Sequence, residues 1–523
     1  MKVVKSVGGE LYGGNQPFQC LEKLEFREMP EWEEWQPSPS GGESPDFPRL
    51  QELILRECPK LIGDLPTHLP SLKTLDVYKC EVLHENRASN TLNTESLRGS
   101  LEKLTIMGCP GLSLLLESTD TLPSLQMLFI KFVGGKEWLA HNSNRLQSLS
   151  LDECSSLLSF PTNGLPTPLT SLHLVNCKKV EFLSREMMAK LTSLQSLLLF
   201  KSCDSLRSFP LGIFPNLSSL SIVGCQNLES LSVEGGADEN LSHLNSLSIW
   251  GCRNLVSFPD GGLPTPNLTF FHVYNCENLK LLPDRMHTLT ALQRLEISSL
   301  PNLVSFPEGG LPTPNLTFFS VGYCMNLKLL PDRMHTLTAL QDLSISNLPN
   351  LVSFPEGGLP TPNLTFFSVR YCMNLKLLPD RMHTLTALQR LEIECLPHVV
   401  SFAQGGLPPN LGRLDIRNWD LVETLLNEQL LPATLHTLQI YDVSNLKSLD
   451  GKGFEHLASL QQLQISGCES LKFLPKEGLP ASLSYLMIRG CPSLKKRYGN
   501  KKGKDWRNIA RIPCIQIDHE ITI

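Results

Sequence analysis

Cysteine is the residue type whose number and spacing first suggest chemistry in this sequence. Sixteen cysteines occur among 523 residues, and a thiol can form a disulfide, bind a metal or act as a nucleophile. Twelve of them share one place in a sequence repeat, eight residues after the leucine that begins a six-residue apolar pattern. They are Cys58, Cys80, Cys109, Cys154, Cys177, Cys225, Cys252, Cys276, Cys324, Cys372, Cys468 and Cys491.

Apolar residues take that place in other repeats, among them Met29, Leu300, Leu348 and Leu396. A free cysteine inside a protein behaves as a small hydrophobic residue, and the chain has no C-x-x-C pair of the kind that indicates zinc. We therefore expect these thiols to be buried, free and structural.

Other candidates for chemistry are weaker. His287, His335 and His383 recur within the same short segment, but two repeats separate each from the next, so they cannot share a metal ion. The segment Gly499–Asp505 lacks the spacing and the hydroxyl of a phosphate-binding loop. No nucleophile, base and orienting group occur together. The sequence predicts no enzyme, with no catalytic residue, no cofactor and no metal.

The elements that position these residues are repeats. The pattern L-x-x-L-x-(L/I/V/F) occurs twenty times, from Leu21 to Leu483, mostly at intervals of 23–25 residues. Its last four residues alternate apolar and polar, as in a half-buried strand. One coil cannot bury its leucines alone, but stacked coils share a core. We predict an α/β leucine-rich-repeat solenoid, a curved horseshoe with a parallel concave sheet of about 20 strands.

The segments between strands indicate a mostly irregular convex side. Asn302–Leu316 contains Pro and Gly where a helix would need neither, whereas Leu329–Leu340 has room for a short helix after its proline. We expect residues 1–20 to be the remnant of an upstream repeat, 21–491 to be the repeat array and 492–523 to be a basic C-terminal cap.

Composition limits the classes of partner. With 41% hydrophobic residues, 19% charged residues and a net charge of −6, the chain has no overall bias toward nucleic acid. We find no signal peptide and no apolar run long enough to span a bilayer, so we expect a cytoplasmic protein. Five N-x-S/T sequons, the first at Asn216, keep a secreted alternative open.

Several segments go beyond a generic leucine-rich repeat. Leu217–Leu231 and Leu460–Pro475 have the pattern LxxLxLxxC-xxLxxL. Together with Phe18–Trp35, Phe47–Leu72 and Cys491–Asp518, they resemble the leucine-rich-repeat region of plant coiled-coil nucleotide-binding leucine-rich-repeat disease resistance proteins. Members of that family carry a nucleotide-binding switch domain before the repeats, and this sequence has no phosphate loop. We therefore expect a fragment or a product that lost its switch, and nucleotide binding is not carried over to it.

Residues 253–300, 301–348 and 349–396 are near-copies of one double repeat. Counting the first leucine of each pattern as position 1, the second and third copies differ only at positions 3, 5, 7 and 8, where Asp342 becomes Arg390, for example. We interpret this as diversification of a contact face, because the surface turns did not change. Drift at tolerant surface positions is the alternative.

Aromatic residues at positions 7 and 8 give a second indication, because aromatics and arginine are enriched in binding hot spots. Packing along the sheet edge remains an equal alternative. The predicted protein-binding residues on the concave face are Trp250, His272, Tyr274, Arg294, Glu296, Tyr323, Asp342, Arg370, Tyr371, Arg390, Glu392 and Glu394.

The resemblance implies a function. Such repeats detect a pathogen effector, or a host protein that the effector has modified, and restrain a nucleotide-binding domain where one lies upstream. We therefore expect protein partners, no nucleic acid and no membrane span. The alternative is a stand-alone leucine-rich-repeat adaptor, or a truncated receptor relic without signalling activity.

Overall fold

A computed structural model gives the fold in two compact units, Met1–Arg253 and Asn254–Ile523. The structure describes a subset of the residues in each unit. Those described are 3–8, 18–36, 47–62, 65, 69–83, 99–109, 112, 122–131, 145–154, 157–160, 165–233, 241–311, 314–359, 362–402, 406–443, 445–449, 451–475, 478–503 and 505–522.

The main feature of the first unit is a parallel sheet in which each strand pairs with the strand of the next coil. Within the described residues it has ten strands: β2 Lys23–Arg27, β4 Glu52–Arg56, β5 Thr74–Tyr78, β6 Lys103–Met107, β7 Met127–Lys131, β8 Ser148–Asp152, β9 Ser171–Val175, β10 Ser196–Phe200, β12 Ser219–Val223 and β14 Ser246–Trp250. Two small parallel pairs lie beside it: β1 Ser6–Val7 with β3 Glu34–Trp35, and β11 Ser208–Pro210 with β13 Ser230–Ser232.

The second unit has the same architecture, with eleven parallel strands among its described residues. They are β15 Phe270–Tyr274, β16 Arg294–Ser298, β17 Phe318–Gly322, β18 Asp342–Ser346, β19 Phe366–Arg370, β20 Arg390–Glu394, β21 Arg413–Arg417, β22 Thr437–Tyr441, β23 Gln462–Ser466, β24 Tyr485–Arg489 and β25 Cys514–Ile517. A last strand, β26 Glu520–Thr522, runs antiparallel to β25.

The register of the sheets explains why this sequence folds as a solenoid. Each predicted pattern supplies one strand at positions 3 to 7, and equal positions pair across coils, as Leu295 does with Phe319 and Ile297 with Val321. These four side chains are fully buried. Each such burial contributes about 1.5–3 kcal/mol relative to exposure. The prediction of a leucine-rich-repeat solenoid with a long parallel sheet is confirmed.

Few helices occur in the return segments. Among the described residues, the α-helices are α1 Arg185–Lys190, α2 Trp419–Asn427 and α3 Pro492–Tyr498. The short helix expected in Leu329–Leu340 is a single 3-10 turn at Met334–Thr336, which inserts the fully buried Met334 into the core. The predicted boundaries at residues 20 and 491 stay predictions.

The cysteines follow one local geometry, which explains their shared place in the repeat. Position 8 adopts a left-handed backbone conformation in almost every coil, for example at Asn275 and Tyr323 with φ of 53° each. This bend turns position 9 toward the core, so all twelve cysteines of the set are buried and free. Each thiol points back to the carbonyl oxygen two residues earlier, as Cys324 does to Gly322 at 3.2 Å. Ser202 replaces cysteine in one coil, and its hydroxyl makes the same contact with Phe200 at 2.9 Å.

Candidate protein-binding face

The side chains at positions 3, 5 and 7 of the strands form the outward side of each sheet, which we call the open face. In β16, Leu295 and Ile297 are fully buried, whereas Arg294, Glu296 and Ser298 on the opposite side are accessible. The candidate residues predicted at these positions therefore lie on the outward side of the sheet. Position 8 follows directly at the strand end.

The left-handed bend directs position-8 side chains into solvent. Tyr323 has φ of 53° and a half-exposed ring, and its backbone N–H donates to the carbonyl oxygen of Ser346 at 3.0 Å. Tyr371 repeats this geometry two coils later, with φ of 56° and a bond to the carbonyl of Glu394. This conformation costs free energy for residues other than glycine, so the backbone at both tyrosines is strained.

One group of candidates lies on the first two strands of the second unit. His272 of β15 faces Glu296 of β16, with 3.9 Å between Nε2 and Oε2. Arg294 pairs with Glu296 and lies over the ring of Phe318, with its guanidinium carbon 3.7 Å from the ring centroid. Burial lowers the pKa of His272, although the Glu296 carboxylate opposes this shift. The group therefore presents a neutral imidazole, an aromatic ring and a paired arginine.

A second group crosses four neighbouring strands, β19 to β22, and is more extensive. Its base is a row of position-5 side chains that are buried although polar: Ser368, Glu392, Asp415 and Gln439. We call it the buried polar row. Exposures of 8% for Glu392 and 4% for Asp415 mean that these carboxylates hold their neighbours in place and do not themselves offer an accessible contact.

Arginines at position 3 connect the buried polar row. Ser368 donates to Glu392 at 3.0 Å, and Arg390 binds both Glu392 and Asp415, the latter at 3.3 Å. Arg413 binds Asp415 at 3.0 Å and donates to Gln439 at 3.1 Å. Buried polar groups are stable only when they are hydrogen-bonded in this way. Burial raises the pKa of Asp415, and hydrogen bonding to Arg413 opposes that shift.

Position 7 adds a layer of opposite charges beside the row. Glu394 lies between Arg370 and Arg417 on the neighbouring strands, and burial raises the pKa of its carboxyl despite those two arginines. Arg417 donates to the Tyr371 hydroxyl at 3.2 Å and pairs with Asp442 at 2.8 Å. The face is therefore balanced in charge and fixed in geometry.

Arg370 differs from its neighbours because one of its polar atoms is unsatisfied. Its Nε is buried and has no hydrogen-bond partner among the described residues. Such a donor costs free energy unless a further group accepts from it. Arg370 is therefore the least satisfied arginine of the group.

The structure brings together Arg370, Tyr371, Arg390, Glu392 and Glu394, and separately His272, Tyr274, Arg294 and Glu296. Tyr323 and Asp342 lie on the coils between these groups. Trp250 belongs to the first unit, where it ends β14 with 48% of its surface exposed.

Tyr441, which donates to Gln439, is one of the position-7 aromatics that the sequence indicated. Sequence reasoning missed other members of the second group: Arg413, Asp415, Arg417, Gln439 and Asp442. They lie in coils outside the three near-copies, so a comparison of the copies cannot find them. Their positions in the repeat, mainly 3, 5 and 7, are the signal that identifies them.

Neither a metal nor a membrane is indicated by the described part of the chain. No group of three or more His, Cys, Asp or Glu side chains that could hold a metal ion occurs there. No helix in that part is long and apolar enough to cross a bilayer.

The sequence of this chain is similar to those of known proteins. No family model matches the chain. Over 246 residues, or 47% of the chain, it is 35% identical to a putative disease resistance protein of Arabidopsis thaliana. Over 35% of the chain it is 31% identical to a putative disease resistance RPP13-like protein of the same plant. The chain covers only 15% and 16% of these relatives' lengths.

Two solved structures have a similar course of the chain. A leucine-rich-repeat protein of Leptospira interrogans is 22% identical, with a TM-score of 0.46 over 76% of this chain and 91% of its own. The functional domain of InlJ from Listeria monocytogenes, which includes a cysteine ladder, is 18% identical with a TM-score of 0.36. The matched region covers 66% of this chain and 70% of the InlJ chain. The fold assignment rests on the strand pairing described above and not on these likenesses.

The coils, their leucine positions and their parallel pairing define a leucine-rich-repeat protein. Its curated relatives are plant disease resistance proteins, so the resemblance to the repeat region of such proteins is confirmed.

Proposed function

We propose that this chain is the recognition scaffold of a plant defence receptor, and that it binds a protein through the open face of its second unit. The partner is a pathogen effector or a host protein that an effector has modified. Where a nucleotide-binding switch domain precedes the repeats, contacts with the repeats restrain it, and effector binding competes with that restraint. We place this function in the cytoplasm, where free thiols persist.

The observation that carries the proposal is the coincidence of two independent features. Substitutions between the second and third near-copies fall on the open face or at the adjoining position 8, at residues such as Arg370, Arg390 and Glu394. The same strands hold the buried polar row, which fixes Arg390 and Arg413 before any partner arrives. Preorganised arginine and tyrosine side chains reduce the entropy that a protein interface must lose.

The charge pattern also limits how the face discriminates between partners. Arg390, Arg413, Glu392 and Asp415 balance one another, so the face has no strong net attraction for one sign of charge. Specificity then depends on where each group stands, because a partner with a misplaced charge leaves a desolvated group unpaired.

The test compares two variants of the full chain in plant tissue challenged with a pathogen. The face variant carries Arg370→Gly and Glu394→Ser, the residues of the preceding copy. The control variant carries Arg285→Glu and Arg333→Glu, exposed turn residues outside the open face. Quantitative co-precipitation should show at least one protein that the face variant loses and the control variant retains. Identical partner sets for both variants would refute the proposal.

A further inference from the structure

A second surface of the second unit is apolar and lies away from the open face. At positions 13 and 14 of seven successive coils, one large aliphatic side chain projects into solvent, with 43% to 60% of its surface exposed. We call this set the lateral row. Its members are Val256, Leu281, Val304, Leu329, Val352, Leu377 and Val400.

The lateral row is ordered by backbone hydrogen bonds between coils. Lys328 donates its N–H to the carbonyl of Val304 at 3.3 Å, and Lys376 donates to Val352 at 3.0 Å. Neighbouring coils are therefore about 4.8 Å apart here, as in a sheet. Aliphatic side chains at such spacing form a continuous surface. Exposed apolar patches beyond a few hundred Å² mark interaction sites.

Lysines accompany the row at every second coil. Lys280, Lys328 and Lys376 each precede one of its leucines and are exposed. Among the described residues none of the three side chains has an ion pair or hydrogen bond. The matching place in the first unit differs, because Arg207 and Glu229 pair with each other there. Along the seven coils of the lateral row, three regularly spaced positive charges are thus left for a partner.

We propose that the lateral row binds an amphipathic helix whose apolar residues recur every seven residues with carboxylates beside them. Seven residues of α-helix rise about 10.5 Å, and two coils of the solenoid span about 9.6 Å. Each heptad of such a helix therefore meets one leucine and one lysine. Carboxylates beside the apolar stripe complement the lysines in charge.

Two other occupants fit less well. A second copy of this chain would place lysines against lysines if the rows met face to face, which is unfavourable. An anionic membrane would attract each lysine near its surface. Three lysines give a weak attraction of this kind, and it does not depend on their regular spacing.

The experiment measures binding of synthetic peptides to the full 523-residue chain by fluorescence anisotropy. One four-heptad helical peptide carries leucine and glutamate at the heptad positions, and a second replaces glutamate with lysine. The variant K280E/K328E/K376E reverses the charges of the row. The matched control R285E/R333E/R381E makes the same change at the same two-coil spacing on exposed turn residues.

We expect the glutamate peptide to bind the unaltered chain and the control equally. Reversal of the three lysines should weaken this binding by about tenfold or more, because it removes three ion pairs and puts like charges in their place. The same variant should gain binding of the lysine peptide, which a misfolded protein would not do. L281S/L329S/L377S should weaken binding of both peptides.

Four results would overturn the proposal. The first is that the glutamate peptide does not bind the unaltered chain, and the second is that it binds the lysine-reversed variant as tightly as the control. The third is that the chain forms a dimer and the leucine variant abolishes it, which would make the row a self-association surface. The fourth is that phosphatidylserine vesicles bind the unaltered chain while neither peptide does, which would make the row a lipid contact.

Discussion

Replacement of Arg390 by aspartate, the residue of the preceding copy, tests whether the open face is one coupled network. Arg390 binds Glu392 and Asp415, whose side chains are 10% and 6% exposed, while its own side chain is 44% exposed. Arg390→Asp removes both contacts and puts a third carboxylate beside two buried ones. Hydrogen bonds to charged groups contribute about 1.5–3 kcal/mol. Because Arg390 is partly solvated, we expect about 1–3 kcal/mol of destabilisation.

A second substitution should relieve part of that cost. The preceding copy has Asp342 at position 3 and Ser344 at position 5, so it lacks both Arg390 and Glu392. Glu392→Ser removes one of the crowded carboxylates. The double variant Arg390→Asp/Glu392→Ser should therefore be more stable than the sum of the single variants predicts, by about 1 kcal/mol.

Urea unfolding of the four proteins at pH 7, followed by circular dichroism, gives this coupling free energy. A cycle at Arg285 and Glu356, exposed turn residues three coils apart, serves as the control and should be additive. Additivity within about 0.5 kcal/mol for the Arg390 and Glu392 pair would refute the network, because independent sites add in this way. It would show that substitutions on this face act one at a time.

Three further predictions follow from packing, backbone and charge. Cys324→Leu should lower the free energy of unfolding by about 1–3 kcal/mol, because the larger side chain overpacks the buried residues of the adjacent coils. Leu348→Cys in the same chain should restore part of that loss, and urea midpoints measure both effects. Gly251→Ala should cost about 1–2 kcal/mol at φ of 68°, because its Cβ would have room and only the backbone is strained. Burial raises the pKa of Glu394, so stability from this group is present below its unfolded pKa and is lost as pH rises through the folded pKa. Glu394→Gln should therefore reduce the change of the urea midpoint with pH between pH 4 and pH 7. An unchanged pH profile would contradict this.

The repeat made most of the fold predictable from the sequence. The spacing of leucines at positions 1 and 4 identified the strands, since a one-residue slip would expose Leu295 and bury Glu296. Position 9 was predictable as an inward place because Cys324 and Leu348 both occupy it. The left-handed bend at position 8 was not, because residues as different as Tyr323 and Gly251 adopt it. Glycine and asparagine are frequent at position 8, but about half of the coils carry other residues there.

The candidate site was predictable in place but not in organisation. Comparison of the copies located Arg370, Arg390 and Glu394 on one face, because strand alternation fixes which side each residue faces. It treated Arg390 as a charge offered to a partner, whereas the structure shows that Asp415 already binds it. Such pairings depend on which strands are neighbours and on side-chain reach, and a pattern within one coil contains neither.

Coupling within the face changes what a repeat array of this kind can do under the proposed function. If Arg390 and Glu392 stabilise each other, a single substitution toward a new partner first loses folding stability. Duplication of a whole double repeat avoids that loss, because residues that stabilise one another are copied together. The near-copies 301–348 and 349–396 differ in just this way, with Asp342 and Ser344 in one and Arg390 and Glu392 in the other. New contact surfaces can therefore arise as matched sets, while the leucine core, the cysteines at position 9 and the lateral row remain unchanged.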